Sequence, residues 1–198
     1  MRQIDLLRHG ETERKGVLLG RTDAVLSELG WQQFEKQTRN REYCIILTSP
    51  LKRAREPAEQ LANARNVQTR RDKDWAELDF GAWDGKPVAE LRKDAEIAQA
   101  LDAFYRDPNA SGPPGGENWT TLSDRIALAL GRLLEAPDEG NALIVTHAGP
   151  MRAALSLACD IPLDRVWALK IDYGTRITLR FGRVDGKFWG EIIEIVQP

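Results

Sequence analysis

The chain has 198 residues, of which 42% are hydrophobic and 29% charged, and its formal net charge is -2. That length fits a single domain, residues 1–198, able to bury a core without disulfides or a structural metal. A charge so near zero excludes a global field for nucleic acid or anionic membranes, so any anion must be caught in a local pocket.

Gln3 to Leu7 reads as a short buried strand. It begins so soon after Met1 that no signal peptide is expected, and the expected compartment is the cytoplasm. No apolar run approaches the ~20 residues of a membrane span. Ser27 is placed to cap a helix through Leu29, Gln33 and Phe34. Tyr43 to Leu47 is a second apolar run. Ser49 and Pro50 supply a capping hydroxyl followed by proline, a helix start. Pro87 is expected to open a further helix, with Val88, Leu91, Ala95, Ala98 and Leu101 forming its apolar stripe. The stretch Pro108 to Asn118 is dense in proline and glycine and reads as a loop of the kind that lines sites. Leu122, Ile126, Ala129 and Leu133 mark another helix. Asn141 to Thr146 is a third short apolar run, and Gly149-Pro150 opens a helix through Met151, Leu155 and Ala158. Arg176 to Phe181 and Phe188 to Val196 flank Asp185-Gly186, a tight-turn signal, and read as a hairpin.

Short continuous apolar runs suit strands covered on both faces. Alternating with helices, they predict an α/β three-layer sandwich: a mainly parallel sheet, helices on both faces, and an antiparallel C-terminal hairpin at the edge. The two cysteines, Cys44 and Cys159, sit in apolar settings and read as buried small hydrophobes. There is no CxxC and no HExxH, so no metal is expected, and no cofactor.

The chain's two histidines share one kind of address. His9 follows the strand ending at Leu7, and His147 follows the strand ending at Val145. Ligands of open α/β sheets bind outside the carboxyl ends of the strands, so both histidines can converge on one pocket. Arg8 precedes His9, and Arg53 lies in the first turn after the second strand. Such a set of donors suits the anionic oxygens of a phosphoryl group. No G-x-S-x-G is present, and Gly81 to Lys86 is one residue short of a phosphate loop, with Pro87 in the place of Ser or Thr.

Leu7-Arg8-His9-Gly10-Glu11-Thr12 resembles the signature of the histidine phosphatase superfamily, which includes the cofactor-dependent phosphoglycerate mutases. Thr48 to Ala54 is similar to the family's second arginine motif, and Glu77 to Gly85 to its acid loop. Pro114 to Glu117 is similar to a turn of many members, and Val145 to Gly149 to the second histidine motif. The five occur in family order. The resemblance implies a phosphoglycerate mutase-like fold, His9 as the nucleophile, and Arg8, Arg53 and His147 around the phosphoryl group. It implies Glu77 as proton donor to the leaving oxygen and base toward water, a double role that suits a carboxyl partly buried beside Phe80 and Trp83. Glu11 and Asp84 are the rival acids, and Glu11 reads as a structural brace for the loop after His9. The implied substrate contacts are Arg8, Lys15, Arg21, Arg53, Trp83, His147 and Ala148. Lys15 stands where many members carry asparagine. Pro57 stands where threonine is common and is expected to kink its helix.

Details of the first motif, of Gly20-Arg21-Thr22-Asp23, of Phe80 to Gly85 and of Phe104 to Glu117 resemble the alpha-ribazole phosphatases of cobalamin biosynthesis. Trp83, Phe104, Tyr105 or Trp119 could stack a flat benzimidazole. The alternatives are a broad-specificity or sugar-phosphate phosphatase. A phosphoglycerate mutase is disfavoured by the short chain and the lack of a further basic cluster for a second phosphate. An inactive regulatory or binding homologue is disfavoured by the intact motifs. The expected partner is a small-molecule phosphate ester, with no nucleic acid and no membrane, for a monomer or homodimer.

Overall fold

The computed structural model describes residues 1–107, 112–137 and 140–198; residues 108–111 of the proline- and glycine-dense loop lie outside the described residues. Six strands form one sheet: β1 (Arg2–Arg8), β2 (Ile45–Thr48), β3 (Gln68–Arg71), β4 (Ala142–Thr146), β5 (Arg176–Val184) and β6 (Lys187–Val196), in the order β3-β2-β4-β1-β5-β6. The first four positions in that order are parallel, and β5 and β6 are antiparallel. The sheet is thus mainly parallel with an antiparallel hairpin at its edge. In the hairpin turn Asp185 and Gly186 both take positive φ, 51° and 79°, as the tightest hairpin turns require.

Side chains alternate strictly between the two faces of the central strands. Ile4, Leu6, Ile45, Leu47, Ala142 and Ile144 join one apolar cluster, and Leu7, Ile46, Leu143 and Val145 join another. Helices α1 (Glu28–Thr38) and α2 (Lys52–Arg65) cover the second set through Phe34, Ala54, Ala58 and Ala62. Further along the chain come α3 (Val88–Leu91), α4 (Ala95–Arg106), α5 (Trp119–Glu135) and α6 (Ala148–Cys159). The stripes Leu122, Ile126, Leu130 of α5 and Met151, Leu155, Ala158 of α6 cover the first set. Both faces are therefore buried, which is why continuous apolar runs fold as strands here.

Ser27 caps α1 by accepting from the Gly30 N–H. The other expected starts shift. α2 begins at Lys52 with Leu51 as its cap, because the Ser49 hydroxyl takes the Leu51 N–H and holds a turn ahead of the helix. The expected helix from Pro87 to Leu101 is two helices, since Asp94 accepts from Glu96 and Ile97 and starts α4 afresh. α2 runs unbroken through Pro57. Strand β3 has no apolar residue to announce it; it is an edge strand, held by its ladder to β2. Cys44 is exposed, which corrects its reading as buried: its thiol sits at the Asn141 carbonyl, one residue ahead of β2, at 3.3 Å.

Candidate active site

The sheet order brings the carboxyl ends of β2, β4 and β1 side by side. Each ladder continues one residue past its strand. The His9 N–H donates to the Thr146 carbonyl at 2.9 Å, and the Ser49 N–H donates to the Val145 carbonyl at 3.0 Å. His9 and His147 consequently stand on neighbouring strands, with ring centroids 5.0 Å apart and planes at 64°.

His9 Nδ1 lies 2.8 Å from the Gly10 carbonyl. A carbonyl only accepts, so Nδ1 carries the proton and Nε2 keeps its lone pair. Burial, then Arg53 and Arg8, hold the His9 pKa well below its ordinary value, so the ring is neutral at neutral pH. His147 is held down in the same way by burial, Arg53, His9 and Arg8. Its Nε2 is 2.7 Å from the Ser49 hydroxyl, while its Nδ1 is buried without a protein partner. Among the described residues the Ser49 proton has no other acceptor near it, so Ser49 donates to Nε2. The ring proton then sits on Nδ1 as an uncommitted donor.

Arg8 Nη1 donates to the Ile171 carbonyl at 2.7 Å, and its guanidinium lies 4.0 Å from the centre of the Tyr173 ring. Arg53 is fully buried and donates to the carbonyls of Thr22, Leu19 and Gly20 at 2.9, 2.7 and 2.9 Å. Neither arginine has an ion-pair partner among the described residues, and the Nε of each is buried without an acceptor. Burial lowers the pKa of both. Two cations without ion-pair partners beside neutral histidines form a site suited to an anion.

Glu77 is buried as well. Its Oε1 accepts from the N–H groups of Leu78 and Gly149 at 3.0 and 3.1 Å. Its own carbonyl, with those of Asp74 and Ala76, is held by Arg125. Arg125 is itself forked onto Glu117 at 2.7 and 2.9 Å. The acid loop is thereby tied to α5. The rival acids are engaged elsewhere. Asp84 accepts from the N–H groups of Gly20 and Thr22 and from the Thr22 hydroxyl, each at 2.7 Å, and Glu11 takes Ser27 and Lys15.

A cavity of about 210 Å³ lies over these groups. Its lining includes Arg8, His9, Glu77, Ala148 and Gly149 together with an aromatic wall of Phe80, Phe104, Tyr105, Trp119 and Trp167, and Arg152. Arg53 and His147 do not line it, though the His147 ring is 5.0 Å from that of His9. Three expected contacts are not brought in. Lys15 is 71% exposed and paired with Glu11 at 3.1 Å. Arg21 is 44% exposed and turns to Asp79 at 3.4 Å. Trp83 is buried in the core, edge-on to Phe104 at 6.1 Å. Phe104, Tyr105 and Trp119 do reach the cavity.

Tyr173, Arg152 and Trp167 were not singled out from the sequence. Tyr173 had a findable signal: the hairpin pairs antiparallel to β1, so the start of β5 must lie beside the end of β1. There the Gly174 N–H donates to the His9 carbonyl at 3.1 Å. Arg152 is four residues from Ala148 on one helix, a spacing that puts both on one face. Trp167, in a short turn of helix after α6, had no such signal. No group of three or more His, Cys, Asp or Glu fit to hold a metal occurs among the described residues. No helix of the described residues is long and apolar enough to cross a membrane.

Residues 4–189 match the model of the histidine phosphatase superfamily (branch 1). Among curated relatives, a bifunctional protein of Mycobacterium tuberculosis is 31% identical over 173 residues, covering 84% of this chain and 47% of that protein. The chain thus spans about half the length of that relative. The adenosylcobalamin/alpha-ribazole phosphatase of Escherichia coli is 25% identical over 174 residues, covering 85% of each. The solved structure of YhfR from Bacillus stearothermophilus superposes with a TM-score of 0.84 at 27% identity, covering 98% of this chain and 96% of that one.

Proposed function

The chain belongs to the histidine phosphatase superfamily, and on that premise we propose that it hydrolyses small phosphate monoesters through a phosphohistidine formed on His9. The observation that carries this reading is the state of His9: Nδ1 is fixed on the Gly10 carbonyl, Nε2 keeps its lone pair, and the ring lines the cavity, held neutral by burial and by Arg53 and Arg8.

In the first step the Nε2 lone pair attacks phosphorus as the ester P–O bond breaks, and the leaving oxygen takes a proton from Glu77. In the second, water attacks the phosphohistidine while the Glu77 carboxylate takes its proton. Inorganic phosphate leaves, and His9 is again neutral. Splitting one difficult step into two is the gain of covalent catalysis. Arg8, Arg53 and the Nδ1 proton of His147 stabilise the phosphoryl oxygens. Each arginine offers about 4 kcal/mol of attraction at an effective dielectric of ~20, before desolvation. Fixed charge of this kind can stand in for the metal that many phosphoryl-transfer enzymes use.

Two substrate readings differ in the leaving group. Alpha-ribazole 5′-phosphate is supported by the motif likeness, by the relative named for it, and by the aromatic wall, on which a benzimidazole could stack. A sugar or acid phosphate is favoured by Arg152 in that same wall. The test of the phosphatase reading is phosphate release, with EDTA present, from alpha-ribazole phosphate, p-nitrophenyl phosphate, 3-phosphoglycerate and a sugar bisphosphate. Turnover that survives EDTA and vanishes in His9→Ala is expected. A magnesium requirement, or appreciable activity in His9→Ala, would overturn it.

A further inference from the structure

Arg152 lines the same cavity as His9 and Glu77, and the two steps above give it no task. It stands on α6 four residues after Ala148, so both side chains leave one face of the helix. Its Cα lies about 6 Å further along the axis from the phosphoryl end. The guanidinium is held 4.4 Å from the centre of the Trp167 ring, which is steadied in turn by Tyr105, edge-on at 5.1 Å.

Among the described residues Arg152 makes no hydrogen bond and no ion pair, and its Nε is buried without an acceptor. Other wholly or partly buried arginines are occupied: Arg125 by Glu117, Arg176 by Glu194, Arg53 by three loop carbonyls. Burial lowers the Arg152 pKa to about 10, which still leaves a cation at neutral pH. A half-buried guanidinium with no ion-pair partner and an unsatisfied Nε gains from a ligand that brings it an anion. Its planar fork suits a carboxylate or a phosphate, and its cation-π contact with Trp167 positions it in advance.

We propose that Arg152, held over the Trp167 ring, determines specificity by binding a second anionic group on the alcohol half of the substrate. This rests on the phosphatase reading and deepens it. The preferred esters carry a carboxylate or a second phosphate about two or three carbons from the ester oxygen, the span set by one helical turn. The sequence shows no basic cluster for such a group because a single arginine, placed by folding and framed by aromatics, supplies it.

The experiment compares kcat/KM for 3-phosphoglycerate and for glycerol 3-phosphate, matched in length and differing in the carboxylate, with a bisphosphate and alpha-ribazole phosphate alongside. The full chain is expected to prefer 3-phosphoglycerate at least tenfold, mainly through KM. Arg152→Gln should collapse that ratio toward one, and Arg152→Lys should restore part of it. A ratio near one in the unmodified protein, a ratio unchanged in Arg152→Gln, or alpha-ribazole phosphate as the best ester would overturn the proposal. If Arg152→Gln fails to fold, the ratio in the unmodified protein and in Arg152→Lys decides alone. Thermal-shift binding of the same two esters reads the subsite without turnover. Binding that discriminates the two in a protein that releases no phosphate from any ester would leave the subsite standing and sink the phosphatase reading.

Discussion

Gly149 shows how closely the acid is fitted to its place. A Cβ at this position would overlap Glu77 Oε1, and the Gly149 N–H is one of the two donors on that oxygen. Gly149→Ala should displace the carboxyl and leave the nucleophile where it is. General acid catalysis is worth roughly 10²–10⁴. An alkyl phosphate should therefore slow about 100-fold, and p-nitrophenyl phosphate, whose leaving group needs little protonation, by far less. Steady-state rates on the two esters check this, and equal slowing would reject the placement of the acid. Arg8 and His9 were legible as candidates from residue type and strand-end position, and Glu77 only from the likeness of its loop to the family's acid loop. Lys15 and Arg21 lie outside the cavity because each long cation pairs with a nearby carboxylate, Glu11 and Asp79, which sequence order does not reveal.

At the scale of the element, α5 does more than cover the sheet. Its apolar stripe was readable from Leu122, Ile126 and Leu133, yet Arg125 lies beside that stripe and carries no periodic signal. Folding turns it onto Glu117 and onto the carbonyls of Asp74, Ala76 and Glu77. Arg125→Met would leave Glu117 buried and uncompensated and would free the acid loop. Removing one partner of a buried pair costs about 3–5 kcal/mol. Urea denaturation should show a loss of that order, and the variant should keep less of its rate on alkyl phosphates than on p-nitrophenyl phosphate. A stability change below about 1 kcal/mol would mean that the brace is ornamental. The breaks around α2 and α4 escaped the sequence reading for a related reason. Ser49 and Asp94 each spend their side chain on a local N–H, and only the backbone path decides which turn they close.

The whole molecule carries the electrostatic consequence of burying both of its histidines. Both are neutral in the folded chain because burial and the arginines lower their pKa values. Unfolded, they titrate near the ordinary value of about 6.5. Above that pH the two states bind equally few protons there, and no stability is at stake. As pH falls below it, the unfolded chain takes up protons that the folded chain refuses. Stability should then fall by up to about 1.4 kcal/mol per pH unit for each histidine. Urea melts at about pH 7 and about pH 5.5 should show this loss, and His147→Gln should remove its share of the slope. A slope unchanged in the variant would mean that the ring is charged in the folded protein. Sheet order was the global feature hidden from the sequence. Its three apolar runs indicated a parallel sheet, but only the interleaving of β4 between β2 and β1 makes the histidines neighbours. β3, polar throughout, could be known only from its partner.

If the phosphoryl group passes through His9, it can be trapped there. Glu77→Gln should form the intermediate from p-nitrophenyl phosphate and be slow to release it. Intact mass and peptide analysis after an alkaline quench should find one added phosphoryl group on His9, stable to base, removed by mild acid and missing in His9→Ala. A phosphoryl group on any other residue, or rapid turnover with no adduct at any time, would contradict the account.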